Sequence, residues 1–195
     1  KSTAAEQAAA VKWIDFYYDP VNAATIEAYV NYVCPVAGAR EAMLELDPEL
    51  ADTLTFASRA KPRLIMDYAT LTGACVGALS TRMSGAVTNR MELVPTVIEA
   101  GWESGERVWP FPLEKDYDKA LKSSIADVKQ CTLDSDADHI IAASFLRKFI
   151  EGDMPWVHID LSAGNHKGGL AHIPTDITGF GVRFSLNLLL NQKTM

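Results

Sequence analysis

The chain has 195 residues, 48% of them hydrophobic and 22% charged, and carries a formal net charge of −7. That length and balance suit one soluble globular domain with a real core and room for a short appendage. A net negative charge with no offsetting basic patch argues against nucleic acid or an anionic membrane as partner. No run approaches the roughly 18 apolar residues of a membrane-spanning helix, and the N-terminus carries no signal-peptide core. The cysteines, Cys34, Cys75 and Cys131, are odd in number and widely spaced. They are expected to be reduced thiols of a cytoplasmic protein, not a disulfide framework or zinc ribbon.

In chain order, the first fifty residues read as helical. Thr3 and Glu6 fit a capping box for a helix over 2–18, with Val11, Trp13, Ile14, Phe16 and Tyr17 on an apolar face. Asp19-Pro20 ends that helix and starts another, along which Ile26, Tyr29, Val30 and Val33 recur at helical spacing. A turn over 34–38 leads to a short helix over 39–46, and Asp47-Pro48 restarts the chain as a helix over about 48–58.

From residue 63 the pattern becomes α/β. Strands are predicted over 63–67, 85–88 and 156–161, and helices over about 91–103, 115–123, 138–151 and 181–191. The last helix is apolar nearly all round, so it should be buried or pack against a partner. After the first strand the polar turn Asp67 to Cys75 opens into a helix start. In an open α/β sheet ligands bind at that end of a strand, and Thr70, Thr72 and Gly73 would offer hydroxyls and close backbone approach there. A plain strand-to-helix connection in a packed core would show the same pattern.

Residues 50–195 resemble the C-terminal catalytic domain of the cytosolic, two-metal leucine aminopeptidase family. The matching pieces are Leu50 to Leu54, Asp67 to Ala74, Ser84-Gly85 with Thr88-Asn89, and Gly105 to Leu113. They continue through Ser124 to Asp127, Ala142 to Leu146, Trp156 to Asp160 and Thr178 to Arg183. Residues 1–52 instead resemble the closing helices of polyamine-type solute-binding proteins, through Ala8 to Ile14, Tyr18-Asp19-Pro20, Tyr29 to Val33, Pro35 to Ala39 and Asp47 to Ala51. Those helices alone cannot form a ligand cleft, so no polyamine site is carried over. The expected organisation is therefore a chimera, with a helical appendage over 1–52 and a truncated aminopeptidase-like domain over 53–195. The fold class is α/β, a mixed sheet flanked by helices.

The resemblance implies a metal-dependent hydrolase in which two ions held by carboxylates and a lysine bridge the attacking water. It places the family's aspartate ligand on Met43, its glutamate ligand on Glu45 and its catalytic arginine on Asp47, so the inherited two-metal site is expected to be missing. Thr70, Leu71, Thr72 and Gly73 match the loop that contacts bound peptide. The resemblance also implies a homo-oligomer, since the family assembles as hexamers through this domain.

A replacement metal site is conceivable from the histidines. His158 and Asp160 are two apart on a predicted strand and project from one face. His166 and His172 lie in the Gly-rich loop that follows, and such a set could hold zinc with water in the fourth position. In the family His158 and Asp160 are structural. Asp134, Asp136 and Asp138 are spaced like the start of a calcium loop, but His139 and Phe145 stand where its glycine and glutamate belong. Cys131, Ser84 and Ser162 lack a nucleophile context. Two functions stay open: a zinc-dependent hydrolase acting on a peptide or small molecule through His158, Asp160, His166 and His172, or a catalytically inactive interaction module.

Overall fold

The computed structural model describes residues 53–129 and 136–191. The helices read over 2–18, 19–33 and 39–46, the start of the 48–58 helix, Cys34, Cys131, Asp134 and the 1–52 appendage lie outside those residues.

Four strands form one mixed sheet: β1 Ile65–Ala69, β2 Ser84–Thr88, β3 Val108–Pro110 and β4 Trp156–Asp160, in the order β1-β4-β2-β3. β4 runs parallel to β1 and antiparallel to β2, and β3 runs parallel to β2. The helices are α1 Thr53–Arg59, α2 Gly73–Leu79, α3 Val94–Ser104, α4 Asp138–Arg147 and α5 Val182–Asn191. This is the α/β architecture expected from the sequence.

β4 lies at the centre because every one of its residues can be buried. Successive side chains of a strand point to opposite faces, so β4 feeds two cores. Val157 and Ile159 join Ala86, Val108, Val97 and Ala100 of α3, and Phe184 and Leu188 of α5. Trp156 joins Ile65, Val87 and Ala143, with Leu54 and Ala57 of α1 and Leu146 of α4 packed around them. The apolar residues of α5 thus meet α3 on one side, while Val182 stays 50% exposed.

Several boundaries differ from expectation for identifiable reasons. The first strand spans 65–69 instead of 63–67, because its pairing starts at Ile65 opposite Trp156 and ends at Ala69 opposite Asp160. β3 has no counterpart in the sequence reading. It is three residues long and ends in Pro110, which an edge strand tolerates because the missing N–H falls where no neighbouring strand needs a donor. The 115–123 segment is a 3-10 helix over Lys115–Leu121, and a 3-10 turn, Met91–Leu93, precedes α3.

One buried carboxylate ties the ends of α3 and α5 together. Gly105, in the left-handed region at φ 75°, terminates α3 and turns Glu106 inward, where it is 2% exposed. Its Oε2 accepts the backbone N–H of Gly181 at 2.9 Å and of Phe184 at 2.8 Å, and Nη2 of Arg183 lies 3.0 Å from Oε1. Glu106 therefore caps the N-terminus of α5 from across the fold, where the helix dipole favours negative charge. Glu106→Ala would orphan two buried amides and remove the carboxylate beside Arg183. It is expected to lower unfolding stability by about 3 kcal/mol, read from urea unfolding monitored by circular dichroism.

Candidate functional site

The candidate site begins where β1 and β4, lying side by side, end together. The turn after β1 is Thr70-Leu71-Thr72, and its shape is imposed by β4. Asp160 Oδ1 accepts the backbone N–H of Leu71 at 3.1 Å and of Thr72 at 3.3 Å, and Oδ2 accepts the Thr72 hydroxyl at 2.8 Å. Thr72 is also the N-cap of α2, its Oγ1 accepting the Cys75 N–H at 3.1 Å. One carboxylate, 4% exposed, thereby fixes a turn that would otherwise be free. Thr70 and Gly73 face outward, and a Cβ built on Gly73 would meet nothing within 4 Å. Of the residues expected to line a binding wall, Thr70, Leu71, Thr72 and Gly73 form one continuous, held turn bordering open space.

His158 points to the same face of β4 as Asp160 and is spoken for by a different partner. It is fully buried, and its Nδ1 lies 2.6 Å from Asp67 Oδ1, opposite it on β1. Trp156 donates its indole N–H to Asp67 Oδ2 at 2.5 Å and stacks beside the imidazole, the ring centroids 5.9 Å apart. Burial works against the protonated imidazole, but the Asp67 charge, its hydrogen bond and the Asp160 charge outweigh it and hold the His158 pKa above its ordinary value. Its Nε2 is buried without a hydrogen-bond partner among the described residues.

The loop histidines lie elsewhere. His166 Nδ1 shares a hydrogen bond with the Thr81 hydroxyl at 2.7 Å, pinning the Gly-rich loop to the turn before β2. That loop is tied to itself by isolated bridges, Asn165 to Ile177 and Leu170 to Ile173, and by Asp176 Oδ1 accepting the Gly168 N–H at 2.9 Å. His172 sits beside Gly105 at the end of α3. The expected convergence of His158, Asp160, His166 and His172 is therefore not built within the described chain. His158 and Asp160 are held by separate partners, and the loop is tied to itself and to Thr81. Among the described residues no group of three or more His, Cys, Asp or Glu side chains could hold a metal ion.

Other chemistry at this edge is equally committed. Cys75, buried, donates to the Asp160 backbone carbonyl at 3.7 Å and lies 3.5 Å from the Ser162 hydroxyl. Burial pushes its thiol pKa up, which marks a structural cysteine. Ser162 in turn donates to the Met83 carbonyl at 2.5 Å. His139, on the first turn of α4, lies against the Phe111 ring, and burial lowers its pKa despite the nearby Asp160 and Asp138 charges. The partnership of Asp67 with His158 had no sequence signal, because it depends on which strand lies next to β4.

Two outcomes test this geometry. Asp160→Asn places an amide against three donors and is expected to cost about 1.5–3 kcal/mol, with faster hydrogen exchange at the Leu71 and Thr72 amides. Because the His158 pKa is raised on folding, the stability it contributes is complete below the ordinary histidine pKa and disappears as pH rises through the folded value. Urea midpoints should therefore fall on going from about pH 6 to about pH 9, and His158→Gln should flatten that slope.

A family profile described as the cytosol aminopeptidase family, catalytic domain, matches residues 49–186. The probable cytosol aminopeptidase of Syntrophotalea carbinolica is 43% identical over 164 residues, covering 82% of this chain and 33% of that protein. That alignment is longer than residues 53–195, so it continues into the N-terminal segment. The probable cytosol aminopeptidase of Chlorobaculum tepidum is 46% identical over 143 residues, covering 72% of this chain and 28% of that protein. Among solved structures, a mutant of tomato leucine aminopeptidase superposes with a TM-score of 0.65 at 31% identity, covering 71% of this chain and 27% of that one. The chain thus spans about a third of the length of the curated relatives it matches. With more than half of its residues inside the family profile, and with the matching sheet and helices behind them, this chain belongs to the cytosol aminopeptidase family.

Proposed function

We propose that this chain forms the substrate-facing part of an aminopeptidase-type hydrolase domain, and that its described residues supply binding geometry without a metal centre of their own. The observation that carries this reading is the Thr70 to Gly73 turn, held rigid by Asp160 at the shared end of β1 and β4. A preorganised turn bordering open space is what positions a substrate, since ordering is then complete before binding. The resemblance calls for two metal ions, but the donors do not fit them here. Asp67 and Asp160 already spend their carboxylate oxygens on hydrogen bonds, only Nε2 of His158 is left over, and no described trio of donors could hold an ion. Acting on its own, such a chain holds a peptide or small molecule and leaves it intact.

A zinc-dependent hydrolase centred on His158 is favoured by one observation. Its Nδ1 faces a carboxylate and its Nε2 is unpartnered, which is how the second shell orients a ligating imidazole. Further donors would have to come from outside the described residues or from another subunit. Homo-oligomerisation forms part of the proposal, and exposed Met91, Ile125 and Val182 offer apolar surface for it. Light scattering on the purified chain reads the assembly directly. A separate origin for residues 1–52 is not part of it, since nothing among the similar proteins supports one. No helix among the described residues is long and apolar enough to cross a membrane.

Elemental mass spectrometry of the dialysed chain, with leucine p-nitroanilide turnover measured in parallel, tests the proposal. Well under one equivalent of zinc or manganese and no turnover are expected. A full equivalent that disappears in His158→Ala and His166→Ala would overturn it in favour of the zinc enzyme.

A further inference from the structure

The amino ends of β2 and β3 build a second feature. These strands are parallel neighbours, with Ser84 opposite Val108, so the residues just before them lie side by side. Arg82 precedes β2 and Arg107 precedes β3, and the Ser84 N–H bonds to the Arg107 carbonyl at 3.1 Å. Both side chains line a cleft of about 240 Å³, together with Trp102, Gly105, Leu170 and Ala171. The Arg107 guanidinium lies over the Trp102 ring, 5.4 Å from its centroid. Neither guanidinium pairs with a carboxylate among the described residues, although the chain as a whole is acidic.

The shape of the cleft is specified as well as its charge. Gly105 closes α3 at φ 75° and Ala171 turns the Gly-rich loop at φ 52°. A Cβ on Gly105 would come within 2.9 Å of Ala171 Cβ, so these two turns touch within the lining of the cleft. Trp102, 57% exposed, makes one wall, and Leu170 stands among the remaining lining residues. Two guanidinium forks beside an indole and an aliphatic surface match a carboxylate on a flat or apolar body, because the forks take the oxygens and the walls take the hydrocarbon. Inorganic phosphate would leave the apolar walls uncovered. The volume falls below the roughly 300 Å³ at which drug-sized pockets begin, so one carboxylate and one ring or side chain are the natural load.

We propose that the Arg82–Trp102–Arg107 cleft is a binding site for a carboxylate carried on an apolar body, either a small aromatic acid or the C-terminal residue of a peptide. The cleft shares no lining residue with the Thr70 to Gly73 turn, although both lie at the same end of the sheet, and it does not depend on the function proposed for that turn.

Titration of the full chain with benzoate, N-acetylphenylalanine and the neutral N-acetylphenylalanine amide tests it, read by Trp102 fluorescence and its indole N–H resonance, with Trp102→Phe identifying the signal. Saturable binding of at least one acid is expected, weakened about tenfold or more by Arg82→Gln or Arg107→Gln. The amide should bind at least about tenfold more weakly than its acid. The tighter of the two acids assigns the source, aromatic acid or peptide terminus. No saturable change at Trp102, equal binding of acid and amide, or indifference to both arginine substitutions would each overturn the proposal. Arg82 is exposed, so Arg82→Gln keeps the test intact should Arg107→Gln fail to fold.

Discussion

The carboxylate of Asp160 is the constraint on which the functional edge of this fold depends. It ends the central strand and accepts three hydrogen bonds from the turn that ends the neighbouring one. Two strands, a turn and the N-cap of α2 are thereby registered by a single side chain. An ionised group accepting three donors is held more firmly than neutral hydrogen bonds would hold it, and its burial makes any unmet donor costly. The turn is therefore either in its observed shape or the local structure opens. That all-or-none quality suits a binding wall.

The same logic recurs at two other buried groups. Asp67 satisfies both Trp156 and His158 across the β1–β4 pair. Glu106 satisfies the start of α5 from the end of α3. In each case an acid from one element serves donors on another, so adjacent strands and packed helices are tied by hydrogen bonds to buried carboxylates. The pairing also explains why candidate catalytic side chains here are quiet. His158 and Asp160 are buried and engaged, burial pushes the Cys75 thiol pKa up, and Ser162 donates to a backbone carbonyl.

Family membership and the absence of a described metal-capable cluster are compatible. The chain covers about a third of its curated relatives, and fold and chemistry are separable properties of a domain. What the described residues retain is the scaffold: a mixed sheet, two helical layers and a fixed turn at the strand ends. The basic cleft at the amino ends of β2 and β3 adds a feature made from that scaffold and from the Gly-rich loop after β4.

The sequence by itself determined the fold class, a strand read over 156–161, the turn over Thr70 to Gly73 and the family. These are local patterns, since alternation, turn chemistry and motif order are all written along the chain. It did not determine the edge strand Val108–Pro110, which exists only because β2 offers a partner, nor the true limits of β1, which the register with β4 imposes. Spacing along the strand placed His158 and Asp160 on one face, and that held. It could not say that Asp67 would claim the first and the Thr72 turn the second, or that the Gly-rich loop would close on itself before reaching them. Only the tertiary structure decides the two carboxylate partnerships, because each joins residues some 90 positions apart, and hydrogen-bond competition between distant groups has no signature in local sequence.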